Sequence, residues 1–341
     1  DQPRNTAPGA AEPDAPEPDD GGDAPLVEEV AVAAPLLGQP VEIVAYGNGQ
    51  LLRRLDLAAG RLVTQRVPRQ PFGRTRLIVG DEWVMFPPSD SELPTIVVGD
   101  GGEITEGFYG PTWEVAGVAD GAGLWVMSEA LAAGGAGLIE RVPISSGGAE
   151  KLTLPGPPSR FDPAGGFVVD APGGSYRVAA DGVSQITAGE LIAIGREVAL
   201  AEECDAGLTC SVVVIDRATG ERSTLDVARP LDDTLLPSIA IVGHESVSPD
   251  GALAMVRVVN PGDGSSGQPM IGVIDLTTGV VAEVGFAQDI DQSVWSPDAR
   301  FLFFNRGGKV VAYEPATGDS HVVADELIAI DAFGVRPLSP G

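Results

Sequence analysis

One short hairpin pattern recurs along the chain and restricts the folds open to it. An apolar run ends in an acidic residue, two variable residues, Ala or Thr, and then Gly, after which a second apolar run begins. Four copies are clear and three are looser, and their glycines are Gly60, Gly102, Gly148, Gly182, Gly220, Gly279 and Gly318. Gly adopts positive φ without steric cost, and a preceding Asp accepts hydrogen bonds from the amides of its own turn. The pattern therefore predicts tight turns between antiparallel strands.

The spacing of these turns predicts how the hairpins assemble. The seven glycines lie 34 to 59 residues apart and average 43. Each hairpin follows two further strand-like runs, and a spacing of about 40–45 residues with four short strands is typical of a propeller blade. We predict an all-β, seven-bladed β-propeller over residues 41–337, with six or eight blades as alternatives. Residues 26–40 are expected to be a lead-in segment and residues 338–341 a tail.

The two ends of the chain predict how the ring closes. The first unit begins at Val41 and shows only three strands before Gln70, so its innermost strand is missing. The pentapeptide ELIAI occupies residues 190–194, at the start of the fifth unit, and recurs at residues 326–330. We therefore expect residues 326–330 to supply the innermost strand of blade one, since a blade shared by both termini leaves no exposed sheet edge.

Three turn motifs resemble a known family. They are VSPDGALAMVRV (247–258), WSPDARFLFFN (295–305) and the weaker FDPAGGFVVD (161–170). They are similar to the Ser-Pro-Asp-Gly turn of WD-repeat-like, TolB-type propellers, where this turn joins the innermost strand to the second. The chain departs from true WD repeats, because no Trp-Asp ends a third strand. The resemblance implies a propeller that serves as a binding platform without catalysis.

Charge excludes several classes of partner. The chain carries 49 acidic and 21 basic residues and a net charge of −28, which disfavours nucleic acid and anionic lipid surfaces. No apolar run approaches the ~20 residues that span a bilayer, so we expect no direct membrane insertion.

Residues 1–25 contain no Val, Ile, Leu or aromatic residue and are expected to form a disordered tether. Because the chain begins with Asp1, we expect an upstream segment to have been removed, either as a signal peptide or anchor or by trimming for expression.

The two cysteines bear on location. Cys204 and Cys210 enclose a five-residue loop, a separation that a disulfide can bridge; two free thiols in a reducing compartment are the alternative. A disulfide would indicate export, either to the extracellular space or to the bacterial cell envelope. Two cysteines and two histidines make a zinc site unlikely, and we expect no metal or other cofactor.

Long loops are expected to gather on one face. The segments 87–94, 129–137, 203–210 and 260–269 each join a second to a third strand, and in a propeller such loops and the connections between blades share a face. Acidic residues in these loops and connections are candidate binding residues: Asp232, Asp233, Asp263, Asp289 and Asp291. Arg69, Arg74, Arg76 and Arg160 form a basic counterpart, and the alternative is that all these charges only keep the loops hydrated. Trp113 and Tyr109 are candidates for stacking on a glycan.

No catalytic constellation stands out. His244 and His321 are expected to be a packed or capping group and an exposed group, respectively, and neither accompanies a Ser–His–Asp pattern. No sialidase-type Asp-box, EF-hand loop or phosphate-binding Gly loop occurs. The sequence therefore favours a monomeric, non-catalytic binding or scaffolding module for a protein or cell-surface glycan. The alternatives are a propeller-fold hydrolase or lyase that uses carboxylates near the channel to act on polysaccharide, and a structural component of a calcium- or salt-adapted envelope.

Overall fold

The structure is a computed structural model. It describes residues 27–47, 50–67, 77–86, 95–107, 114–117, 123–127, 137–143, 150–154, 159–179, 181–227, 234–236, 246–259 and 269–338. Among these residues there is no helix with the length and apolar character needed to cross a bilayer.

The described residues form β-strands and one turn of 3-10 helix, Ala287–Asp289. The strands, numbered along the chain, are β1 (Val27–Ala31), β2 (Val41–Gly47), β3 (Leu51–Asp56), β4 (Arg61–Arg66), β5 (Ile78–Val79), β6 (Trp83–Phe86), β7 (Thr95–Gly99), β8 (Ile104–Gly107), β9 (Glu114–Gly117), β10 (Gly123–Met127), β11 (Gly137–Pro143), β12 (Glu150–Leu154), β13 (Arg160–Phe161), β14 (Phe167–Ala171), β15 (Gly174–Ala179), β16 (Gly182–Thr187), β17 (Glu190–Ile194), β18 (Val198–Cys204), β19 (Cys210–Asp216), β20 (Arg222–Leu225), β21 (Thr234–Leu236), β22 (Leu253–Val259), β23 (Met270–Asp275), β24 (Val281–Phe286), β25 (Ile290–Trp295), β26 (Leu302–Arg306), β27 (Lys309–Glu314), β28 (Asp319–Val322) and β29 (Ile330–Pro337).

These strands form antiparallel sheets that follow one another along the chain. Sheet 1 has the order β1-β4-β3-β2-β29. Sheets 2 to 7 each take the next four strands in sequence order, from β5–β8 in sheet 2 to β25–β28 in sheet 7. The all-β prediction is confirmed. The fifth unit, residues 190–225, and the seventh unit, residues 290–322, each form one four-stranded sheet, sheets 5 and 7.

Sheet 1 combines the two ends of the described chain. Strand β29 pairs with β2, so that Val41 lies opposite Pro337 and Ala45 opposite Phe333. Strand β1, within the segment expected to be a lead-in, pairs with the outer side of β4. Its five residues are exposed.

Apolar clusters lie between sheets that are neighbours in this order. Phe301 and Phe303 of the sheet 7 region pack with Ile43 and Phe333 of sheet 1. Similar clusters join sheets 1 and 2, sheets 4 and 5, sheets 5 and 6, and sheets 6 and 7. Each such sheet buries residues on both faces, which explains why runs such as SVVVI are apolar without interruption.

The prediction that residues 326–330 form the innermost strand of the first sheet is wrong, because the strand that pairs with β2 is β29, which begins at Ile330. The first ELIAI is strand β17, but the second forms a turn with one isolated bridge between Lys309 and Ile328. Ala329 has a φ of 52°, which breaks the extended backbone, so that pairing with β2 begins at Ile330. Leu327 is buried in the cluster between sheets 7 and 1. The apolar run PSIAIVG (237–243), a further candidate for an inner strand, lies outside the described residues, and the described inner strand of sheet 6 is β21.

The Ser-Pro-Asp turns join the first strand of a sheet to the second, as the family resemblance implied. Ser296 Oγ donates to Asp298 Oδ1 at 2.6 Å and accepts from the Phe301 N–H at 2.9 Å. Ser248 makes the same pair of bonds with Asp250 and the Leu253 N–H. The seryl oxygen thus bridges both sides of the turn. The next position has positive φ in both copies, 73° at Gly251 and 60° at Ala299.

These two matched turns yield a stability prediction. A left-handed conformation costs a non-glycine residue about 1–2 kcal/mol, whereas Gly loses about 0.5–1 kcal/mol more backbone entropy on folding. We expect Ala299→Gly to stabilise the protein by about 0.5–1 kcal/mol. Gly251→Ala should destabilise it by about 1–2 kcal/mol, because the alanine would have to adopt the left-handed conformation. The Cβ of this alanine would also lie 3.2 Å from a methyl group of Val198. Urea unfolding of both variants checks this, and shifts of the same sign would contradict it.

The Gly hairpins have the predicted local chemistry. Asp275 Oδ1 accepts hydrogen bonds from the N–H groups of Thr277 and Thr278 at 2.8 and 2.7 Å, and Asp216 does the same for Ala218 and Thr219. The bond from the Thr278 amide lowers the pKa of Asp275, and that from the Thr219 amide lowers the pKa of Asp216.

The lowered pKa values predict how these turns respond to acid. The folded-state pKa lies below the ordinary value of 3.8, so the stabilisation is complete above that pH and is lost as the pH falls through the folded-state pKa. We expect Asp275→Ala to lower the free energy of unfolding at pH 7 and to differ less from wild type at pH 2–3. Chemical denaturation across this range tests the prediction, with Asp319→Ala as control. An equal Asp275→Ala deficit at pH 7 and pH 2 would contradict it.

Candidate binding face

Most of the predicted binding residues lie outside the described part of the chain. These are Asp232, Asp233, Asp263, Trp113 and Tyr109. Asp289 is the last residue of the 3-10 helix Ala287–Asp289, and Asp291 is the second residue of β25. The backbone therefore brings Asp289 and Asp291 together at the start of one inner strand. The proposed roles of all seven residues stay predictions.

The strand order places the four predicted loops at one end of their sheets, whereas the connection 237–252 joins a first to a second strand and emerges at the opposite end. Loops 87–94, 128–136, 205–209 and 260–269 each join the second to the third strand of a sheet. In contrast, the hairpins between third and fourth strands are short, with four residues at 57–60 and 315–318. Because successive strands are antiparallel, second-to-third loops and the connections between sheets emerge at the same end of a sheet. We call this end the loop face and the opposite end the turn face.

The predicted disulfide is present on the loop face. Cys204 and Cys210 lie directly opposite each other in β18 and β19 and are bonded. Asp205 organises the loop between them, because its Oδ1 accepts from the Gly207 and Thr209 N–H groups at 2.8 and 2.9 Å. Its backbone N–H donates to the Thr209 carbonyl, and the Leu208 N–H donates to the Asp205 carbonyl. Covalent and hydrogen bonds thus hold this loop in one conformation.

Leu208 projects from the tip of this loop. It is 86% exposed, more than any other large apolar residue in the described part of the chain, and its φ is 63°. Residues 197–216, which contain the hairpin, include five acidic residues and no Lys or Arg. The loop therefore combines an apolar tip with an acidic base.

Acidic residues also mark the starts of inner strands. Glu190 is the first residue of β17 and Asp331 the second residue of β29, and both are exposed. Burial raises the pKa of Tyr46, and the negative charge of Asp331 raises it further. Burial lowers the pKa of Arg160 in β13, while Asp170 and Glu190 act in the opposite direction. Within the described ranges, no three His, Cys, Asp or Glu residues form a group that could hold a metal ion.

Buried ion pairs lie between sheets, and the sequence did not predict them. The Arg336 side chain bonds to Glu42 and Asp100 and to the carbonyls of Gly80 and Asp81. Arg54 shares Asp100 with it. Burial lowers the pKa of Arg54. At Arg336, the carboxylates of Glu42 and Asp100 outweigh burial and raise the pKa.

A second buried pair joins sheets 4 and 5. Arg217, in the turn before β20, bonds to the fully buried carboxylate of Asp162 at 2.5 Å and to the Gly195 carbonyl. Arg177 lies 3.6 Å from the same carboxylate. Both buried groups take part in contacts within the fold, so we assign them to its stability and not to a binding site.

The remaining candidates agree with their expected structural roles where they are described. His321 is exposed on β28, as expected. His244, Trp113 and the adjoining segments lie outside the described residues.

Comparisons with known proteins place the chain in no established family. No protein family matches the sequence, and no curated protein matches it. Among solved structures, a functionally unknown protein from Desulfotomaculum acetoxidans DSM 771 has 14% identity and a TM-score of 0.48, covering 88% of this chain and 99% of that one. The "putative TolB from Agrobacterium tumefaciens" has 11% identity and a TM-score of 0.37, covering 83% and 88%. A "putative 6-phosphogluconolactonase" from Bacteroides fragilis NCTC 9343 has 13% identity and a TM-score of 0.41, covering 87% and 98%.

Proposed function

We propose that this chain is an exported, monomeric, seven-bladed β-propeller that binds a protein or a cell-surface glycan through its loop face, without catalysis. The sheet order supports the architecture, because each sheet takes the next strands of the chain and β29 pairs with β2. The apolar cluster between sheets 7 and 1 supports ring closure, since these sheets are last and first in the order. A closed ring of this kind leaves few exposed sheet edges that could pair with another chain.

The difference between the two faces carries the functional proposal. The hairpins between third and fourth strands on the turn face have two to six residues, and one longer connection, 237–252, also emerges there. The loop face has three second-to-third connections of eight to ten residues and the disulfide-bonded loop from Cys204 to Cys210. Binding residues concentrate on long loops that a rigid scaffold positions. The disulfide also supports export, because disulfides persist in oxidising compartments.

A capture experiment with matched variants tests the proposal. The immobilised full chain is compared with a variant whose residues 261–268 are replaced by a Gly-Ser linker, and with Arg300→Ala/Glu314→Ala as control. The control removes an exposed ion pair near the turn face. A binding partner retained by the control and lost with the loop replacement supports the proposal. Retention of the partner by both variants, and also by a third variant whose residues 205–209 are replaced by a Gly-Ser linker, would contradict it.

A polysaccharide hydrolase or lyase is the second candidate function, and the exposed carboxylates of Glu190 and Asp331 favour it. They begin two inner strands, where the channel of a propeller opens. The test is release of new reducing ends from a panel of acidic and neutral polysaccharides. Activity that is lost in both Glu190→Gln and Asp331→Asn would establish the enzyme in place of the binding module, and an inactive wild-type chain would exclude it for that panel.

A further inference from the structure

We propose that the disulfide-bonded loop 204–210 is a recognition element that inserts Leu208 into an apolar pocket of a basic protein partner. This inference rests on the binding role proposed for the loop face and names the residue and the partner chemistry within it. Leu208 is 86% exposed at the loop tip. Covering such a side chain in a pocket is favourable, because it removes apolar surface from water.

The backbone conformation of Leu208 supports a role for its side chain. Its φ of 63° is unfavourable for a bulky residue and comfortable for glycine. Glycine already occupies position 207 of the same loop, where its φ is not positive. The chain thus holds a leucine where glycine would be more stable, and backbone strain of this kind gathers at ligand-binding sites.

The rigidity of the loop favours tight binding. The Cys204–Cys210 bond fixes both ends of the loop, and the carboxylate of Asp205 fixes its interior through the N–H groups of Gly207 and Thr209. A side chain that is already held in its bound position loses little conformational entropy on association.

Charge indicates the chemistry of the partner. The exposed Asp205 lies within the loop, and Glu202 and Glu203 precede it on β18. No basic residue occurs between Glu197 and Asp216, and the whole chain carries a net charge of −28. Arg222 of the adjoining strand β20 pairs with Glu203 at 3.4 Å, so Asp205 and Glu202 supply the acidic character near the loop. Complementarity therefore calls for a pocket with basic residues at its rim.

The test combines site-specific crosslinking with affinity measurement on the full chain. Benzoylphenylalanine is placed at Ala206, which is exposed in the same loop and leaves Leu208 in place, or at Val183 as control, which is 68% exposed on strand β16. Extract of the source cells is the first probe, and the crosslinked protein is then purified and titrated against the variants. We expect an adduct at 206 and none at 183, with a basic partner whose binding weakens as NaCl is raised from 50 to 500 mM.

The variant Leu208→Gly separates recognition from folding. It should raise the Tm by about 1–4 °C by relieving the positive φ. It should also weaken binding about 10- to 100-fold by removing the apolar side chain. The pair Cys204→Ser/Cys210→Ser keeps the leucine and frees the loop, so it should weaken binding by a smaller factor.

Each outcome decides between the two proposals. If Leu208→Gly binds the partner as tightly as wild type, or if the partner is acidic, the Leu208 proposal is wrong. If the replacement of residues 261–268 abolishes binding and Leu208→Gly does not, the loop-face function stands without a role for Leu208. If neither change affects binding, or if no protein partner is captured, the Leu208 proposal is wrong, and the loop-face proposal falls with it when a glycan panel also fails to bind the full chain.

Discussion

A chain that stops at residue 329 is expected to lose the cooperative thermal transition of the full chain. The deletion removes β29, which pairs with β2 along its whole length. It also removes Phe333, which is fully buried between sheets 7 and 1. The side-chain amide of Gln292, in the inner strand of sheet 7, accepts from the Phe333 N–H at 2.9 Å and donates to its carbonyl. Strand β29 therefore holds two sheets at once.

A graded version of this experiment keeps the prediction testable if the truncated chain does not fold. Phe333→Ala should lower the free energy of unfolding by about 3–5 kcal/mol, the usual cost of emptying a buried aromatic site. Removal of residues 1–25, which carry no large apolar side chain, should leave the Tm unchanged. Differential scanning calorimetry of the three proteins provides the comparison, and an unchanged Tm for the chain ending at 329 would refute closure through β29.

Replacing Arg336 by Ala is expected to cost about 3–5 kcal/mol of stability. The guanidinium is 7% exposed and lies 2.7 Å from Asp100 and 2.5 Å from Glu42. It also donates to the Gly80 and Asp81 carbonyls of sheet 2. Its loss would leave the Glu42 carboxylate and the Gly80 and Asp81 carbonyls without this donor at the boundary between sheets 1 and 2, whereas Asp100 would keep its ion pair with Arg54.

The exposed pair of Arg300 and Glu314 supplies the control for Arg336. The Arg300 side chain is 53% exposed, so Arg300→Ala should cost less than about 1 kcal/mol. Urea denaturation at low and high salt measures the loss of unfolding free energy in both variants. Salt should change the Arg336 loss less, because buried ion pairs are screened less than exposed ones. Equal losses in the two variants would show that Arg336 contributes no more than a surface charge.

The parts of the fold that local chemistry determines were predictable from the sequence. Six of the seven turn glycines lie in the described residues, and all six have positive φ: Gly60, Gly102, Gly182, Gly220, Gly279 and Gly318. The cysteines that flank one loop do form a disulfide. In each case the interacting atoms are within a few residues of one another, so a short window of sequence contains the whole interaction.

The parts that depend on distant segments were not predictable in the same way. The two copies of ELIAI have identical letters, yet one is strand β17 and the other a turn, because Leu327 is buried against sheet 1 and Ala329 has positive φ. Arg336 meets Glu42, 294 residues away in the chain. Such pairs carry no local signal, since any of 19 arginines could have met any of 49 acids. Leu208 was also missed, because a leucine in a loop has no feature in sequence that reveals its exposure or its φ.

The pairing of β29 with β2 has a consequence for when the protein can fold. During synthesis β2 leaves the ribosome early, whereas its partner is made after all the other described strands. Until then β2 lacks its inner neighbour, and the apolar cluster of sheets 7 and 1 lacks Phe333. Contacts between such distant segments also form slowly. The fold of a nascent chain of this design would remain incomplete until its last described strand had been made.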